Sequence, residues 1–154
     1  MLEDKLRILV VEARFYPDIS DELLAGAADA LTAFGAEYNV ISVPGAFELP
    51  AAISLAHEAA HRPTGIRYDG YVALGCVIRG ETTHYDYVCG ESARGLMDLS
   101  IKKHLAIGYG VLTVEDEDQA WARAKRSEGD KGGFAARTAL DMIVLKRRLF
   151  GQIR

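Results

Sequence analysis

The chain has 154 residues, a formal net charge of −4, and 49% apolar against 26% charged residues. That length supports one domain with a real core, and the composition is that of a folded globular protein. The acidic balance excludes a global basic field of the kind nucleic-acid binding favours, and no apolar run is long enough to span a bilayer.

Short apolar runs alternate with longer segments of helical period. Arg7 to Ala13 is a continuous β-branched run, the pattern of a strand covered on both faces. Leu23, Ala27, Ala30, Leu31 and Phe34 follow at helical spacing, and Gly35 suits the end of that helix. Tyr38 to Val43 predicts a second strand. Ala52, Leu55, Ala56 and Ala59 predict the stripe of a second helix, with Pro50 tolerated in its first turn. Gly70 to Cys76 predicts the third strand. Tyr85, Val88, Cys89, Ser92, Leu96 and Leu99 stripe a third helix.

Ala106 to Val114 predicts a fourth strand, and Asp116 to Arg126 a short helix containing Trp121. A polar break, Ser127 to Asp130, precedes a last helix with Ala136, Ala139, Leu140, Ile143 and Val144 on one face. Lys146, Arg147 and Arg148 near its end read as solvated cations that suit a helix C-terminus. This order predicts an α/β domain over residues 1–154: a three-layer αβα sandwich, flavodoxin-like, with a four-stranded parallel sheet and helices on both faces. In such folds ligands bind at the carboxyl end of the sheet. Phe15, Pro44 to Glu48, and Gly75 to His84 should converge there.

The segment from Gly75 to His84 is the richest in chemistry. It joins a strand to a helix and carries Arg79, Gly80, Glu81, Thr82, Thr83 and His84. Gly80 lets the backbone turn tightly, so successive N–H groups can face an oxygen-rich ligand at a positive helix end. Ordinary helix capping by Thr82 or Thr83 accounts for the same residues. His84 beside such a site is a candidate for proton transfer; a lone histidine is otherwise a surface or packing residue.

Val43 to Pro50 is the second unusual segment. Pro44-Gly45 turns the chain, Ala46 leaves space, Phe47 offers an apolar wall, and Glu48 can accept from hydroxyls or simply favour a helix start. Phe15 can stack on a planar heterocycle, although core packing is the ordinary fate of a phenylalanine. Arg123 and Lys131 can meet an anion or a carbonyl, or be exposed helix charge. Cys76 with His84 and Glu48 is a rival nucleophile arrangement, but Val77 and Ile78 beside it favour burial. No aspartate ends the third strand, so a phosphoacceptor receiver domain fits poorly. Cys76 and Cys89 have no metal-ligand spacing, and Met1 to Lys5 lacks the apolar core of a secretory leader; free thiols, no metal site and a cytoplasmic location are expected.

Val43 to Glu48, Gly75 to His84 with Tyr85 to Val88 after it, Leu112 to Ala120, and Asp130 to Gly132 together resemble the 6,7-dimethyl-8-ribityllumazine synthase family, over about Leu6 to Leu149. The resemblance implies a transferase of riboflavin biosynthesis. It condenses 5-amino-6-(D-ribitylamino)uracil with 3,4-dihydroxy-2-butanone 4-phosphate, releases phosphate and water, and needs no cofactor or metal. It implies that Phe15 stacks on the pyrimidine, and that Ala46, Phe47 and Glu48 hold the ribityl chain. Val77 and Ile78 would offer backbone contacts to the ring. Gly80, Glu81 and Thr82 would cradle the phosphate with Arg123, and His84 would move the proton. Lys131 would meet a ring carbonyl. Tyr109, Arg123 and Lys131 would come from an adjacent subunit, so the partners implied are small-molecule substrates and further copies of the chain.

Some positions depart from the commoner family pattern. Tyr109 stands where phenylalanine is frequent, Tyr16 where asparagine is, and Phe134 where an acid is. The segment Lys125 to Asp130 lacks the pattern of shell-forming members, which favours a homopentamer. Tyr16 and Phe134 keep open a second reading, a weakly active paralogue that binds a lumazine or flavin.

Overall fold

The computed structural model describes residues 5–153; the reading of Met1 to Lys5 falls largely outside them, at residues 1–4. Four strands, β1 (Arg7–Ala13), β2 (Glu37–Val43), β3 (Gly70–Ile78) and β4 (Ile107–Val114), form one all-parallel sheet in the order β2-β1-β3-β4. Five helices connect and cover it: α1 (Pro17–Phe34), α2 (Leu49–Ala59), α3 (His84–Lys102), α4 (Glu117–Ala124) and α5 (Lys131–Leu149). The expected α/β architecture with helices on both faces is the one observed.

Strand alternation sorts the core into two layers. Ile8 and Val10 of β1, Val72 and Leu74 of β3, and Leu112 and Val114 of β4 pack with Leu23, Ala120 and Leu140 of α1, α4 and α5. Leu9, Val11, Tyr71, Ala73 and Val111 point the other way, onto Leu49 and Ile53 of α2 and Val88 and Leu96 of α3. Six of the seven residues of β1 are buried, as expected of a strand between two neighbours and two helix layers. Gly35 ends α1 in the left-handed region, and the N–H groups of Gly35 and Ala36 donate to Thr32 and Leu31 carbonyls.

Four local expectations change. β3 runs two residues beyond Cys76, because its ladder with β4 continues through Val77↔Thr113 and Ile78↔Val114. The core stripe of α2 runs through Leu49 and Ile53, whereas Leu55 is 71% exposed and Ala59 is exposed. Phe34 also lies exposed at the end of α1. Arg147 is not a free solvated cation: its guanidinium meets Asp69 at 2.8 Å, and Asp69 also accepts from the Arg7 N–H at 2.8 Å. That pair ties α5 to the segment entering β3.

Candidate active site

All four strands point the same way, so the segments after β1, β2 and β3 meet on one rim of the sheet. A cavity of about 530 Å³ opens there. Phe15, Ala46, Phe47, Glu48, Val77, Ile78, Gly80, Thr82 and His84 line it, together with Tyr16, Pro44, Gly45, Cys76, Tyr85 and Val88. Nine of the thirteen residues singled out from the sequence therefore share one pocket. Glu81, Tyr109, Arg123 and Lys131 do not line it.

Aromatic and acidic groups face open space. Phe15 is 70% exposed and Phe47 55% exposed, so neither serves the core. Phe15 follows β1 directly and rests edge-on against Tyr16, ring centroids 5.0 Å apart. Tyr16 packs onto the α1 side of the core, and burial raises its phenol pKa, with charge repulsion from Cys76 and Glu117 adding to the shift. Ala46 to Glu48 form a single 3₁₀ turn that leads into α2. Glu48 occupies the N-cap position of α2 yet makes no side-chain capping bond, so its carboxylate is not used up at the helix start.

The turn between β3 and α3 leaves its amides unspent. The Arg79 N–H donates to the Val114 carbonyl at 2.9 Å, and the next amide to find an acceptor is that of His84, at Thr82 Oγ1, 3.3 Å. The N–H groups of Gly80, Glu81, Thr82 and Thr83 find none among the described residues. Thr82 caps this helix start and Thr83 does not. Gly80 is not in the left-handed region, and a Cβ there would meet nothing within 4 Å. Its lack of a side chain keeps the amides open to approach; it does not force the turn.

Arg79 braces this turn from behind. Its guanidinium lies 4.2 Å over the Tyr85 ring, with Nε 2.9 Å from Glu115 and Nη1 3.4 Å from Asp86. Tyr85, which the sequence places on the helix stripe and in the segment that carries the family resemblance but gives no site role, also reaches this mouth.

Cys76 is buried, and burial pushes its thiol up to about 11, with Glu117 adding to the shift. A thiol so far from ionisation is no nucleophile near neutral pH, which removes the cysteine-hydrolase reading. Arg123 lies on α4 with Nη1 3.0 Å from the Gln119 carbonyl. Lys131 opens α5 with Nζ 5.0 Å from the exposed Phe134 ring centroid. Tyr109 sits on β4, partly exposed on the α3 side; burial raises its phenol pKa, with Cys89 and Tyr85 contributing.

An apolar cleft at the carboxyl end of a parallel sheet, lined by open aromatic faces, free amides, a carboxylate and a histidine, is where an α/β protein of this class holds small molecules. The family model described as 6,7-dimethyl-8-ribityllumazine synthase matches residues 5–147. The 6,7-dimethyl-8-ribityllumazine synthase 1 of Rhizobium meliloti (strain 1021) is 61% identical over 144 residues, 94% of each chain. The 6,7-dimethyl-8-ribityllumazine synthase of Bartonella henselae is 60% identical over 149 residues, 97% of this chain and 93% of the relative. That of Agrobacterium fabrum is 59% identical over 147 residues, 96% and 99% of the two. The chain belongs to the 6,7-dimethyl-8-ribityllumazine synthase family.

Proposed function

We propose that the cavity is where this chain carries out the reaction that names its family. The amine of 5-amino-6-(D-ribitylamino)uracil attacks the ketone of 3,4-dihydroxy-2-butanone 4-phosphate. An imine forms with loss of water, phosphate leaves, and the ring closes with loss of a second water to give 6,7-dimethyl-8-ribityllumazine. The observation that carries this reading is the pairing of exposed Phe15 and Phe47 with the unspent amides of residues 80–83 around one cleft. One end suits a planar ring, the other a phosphate.

Phe15 stacks on the pyrimidine, with Val77 and Ile78 offering backbone contacts along its edge. Ala46 and Phe47 flank the ribityl chain, and Glu48 accepts from its hydroxyls. Gly80, Glu81 and Thr82 hold the phosphate through N–H groups. His84 moves the proton between the attacking amine and the departing groups. Most of the rate comes from holding two reactants together in the right orientation.

Tyr109, Arg123 and Lys131 complete the site from a neighbouring subunit, which fits their position away from their own chain's cavity. A homopentamer is the assembly in this reading, and light scattering should give five times the chain mass. The chain works in the cytoplasm, in keeping with two free thiols. No helix among the described residues is long and apolar enough to cross a membrane.

The direct test mixes protein with both substrates and follows lumazine absorbance and released phosphate together. Stoichiometric appearance of both is expected. Tight lumazine or flavin binding without phosphate release would favour the paralogue reading, which Phe134 against Lys131 keeps in view. His84→Ala should slow turnover by about 100-fold or less, because orientation survives loss of the proton carrier. Cys76→Ser should stay within about twofold of wild type, since the thiol has no chemical part.

A further inference from the structure

We propose that Glu12 and Arg14 form a positioning clamp that sets Phe15 at the cavity mouth and so governs affinity for the pyrimidine substrate. The inference rests on the reading of Phe15 given under Proposed function.

Glu12 is the only buried carboxylate among the described residues, 4% exposed. It lies one residue before the end of β1, on the face where Ile8 and Val10 pack against α1. Its Oε1 accepts from Arg14 Nη1 at 2.6 Å and its Oε2 from Ser42 Oγ of β2 at 3.1 Å. The other end of the guanidinium reaches α1: Arg14 Nη2 donates to the Pro17 carbonyl at 3.3 Å and pairs with Asp21.

Residues 14–16 are the whole connection between β1 and α1, and Phe15 is its middle residue. One side chain therefore bridges the two elements across the very segment that presents the ring. Phe15 itself is open to solvent and leans on Tyr16 alone among the aromatic rings, so its own contacts do little to hold it. The backbone either side is held instead, by the Arg14 bridge and by Tyr16 packed against the core.

A purely structural role explains less. A strand position continuing Ile8 and Val10 would be served at least as well by an aliphatic side chain, because a buried carboxylate paired with a part-exposed guanidinium offsets its own desolvation poorly. What an aliphatic residue cannot do is direct Arg14 along the first turn of α1 in a fixed, forked geometry.

The test is a double-mutant cycle read as KM for each substrate. Arg14→Ala and Phe15→Ala should each raise KM for the ribitylaminouracil about tenfold, the effect of a lost or misplaced stacking face. KM for the butanone phosphate should stay within about twofold. The double variant should be no worse than Phe15→Ala alone, because Arg14 acts only through the ring. Arg14→Lys, which keeps the charge without the fork, should recover part of the loss.

Multiplicative effects in the double variant would overturn the clamp, as would equal rises in both KM values or an unchanged pyrimidine KM. Should Arg14→Ala fail to fold, Asp21→Asn loosens the exposed outer end without stranding Glu12. It should raise the pyrimidine KM about two- to threefold, again without effect in the Phe15→Ala background; no rise would overturn the proposal. A wild-type protein that makes no lumazine overturns the reading of the site, and the clamp with it.

Discussion

Arg123→Ala is expected to lower kcat/KM by about 100-fold or more, roughly 2.7 kcal/mol, with most of the loss tied to the butanone phosphate. In the proposed site Arg123 is the one guanidinium that meets the phosphate, entering from a neighbouring subunit. The free amides of residues 80–83 are neutral dipoles; they orient the phosphate but do not cancel its charge. A fixed cation does that, and it does more as the leaving group gathers charge. The matched control is Lys146→Ala. Lys146 is a cation on α5 whose Nζ donates to the His104 carbonyl at 2.7 Å, and its loss should leave kcat/KM within about twofold. Steady-state kinetics of both variants, with light scattering to confirm the same assembly, decide the matter. Equal losses would remove Arg123 from the phosphate site.

The largest effect on folding is expected at Gly108. A Cβ there would sit 1.8 Å from the Ala135 carbonyl oxygen, a backbone atom of α5 that cannot swing aside. β4 and α5 pack with bare backbone against bare backbone at this point. Gly108→Ala must push α5 off the sheet or leave β4 distorted, and should cost about 3 kcal/mol or more in a denaturant titration. Gly90→Ala is the contrast. Gly90 lies exposed within α3, where a Cβ meets nothing within 4 Å, so alanine should be neutral or stabilise by up to about 1 kcal/mol. Similar stabilities for the two variants would mean that the close approach of β4 and α5 is not what constrains position 108.

The convergence of the site was legible because it follows from topology. Once the sequence reads as strands joined by helices in a parallel sheet, Phe15, Ala46 to Glu48, and Val77 to His84 must emerge on one rim, and they do. The ends of elements were harder to read. The sequence places the end of β3 at Cys76, yet pairing with β4 carries the strand on to Ile78. In α2 the small residues point to a stripe through Ala52, Leu55, Ala56 and Ala59, which the structure does not keep at Leu55 and Ala59. Ile53 went to the core and Leu55 to the surface, a choice made by α3 and the sheet.

The family, the parallel α/β order and the three segments that meet at one cavity were legible in the residues alone, because these depend on residue types at short separations. Tertiary packing was needed to bury the Cys76 thiol and push it up to about 11, to leave Phe15 and Phe47 open while Tyr16 packs partly against the core, and to cover Glu12 with Arg14 and Ser42. Each of these is a matter of burial. Burial is settled by neighbours contributed from distant parts of the chain: Ser42 lies thirty residues beyond Glu12 and meets it only because β1 and β2 pair side by side.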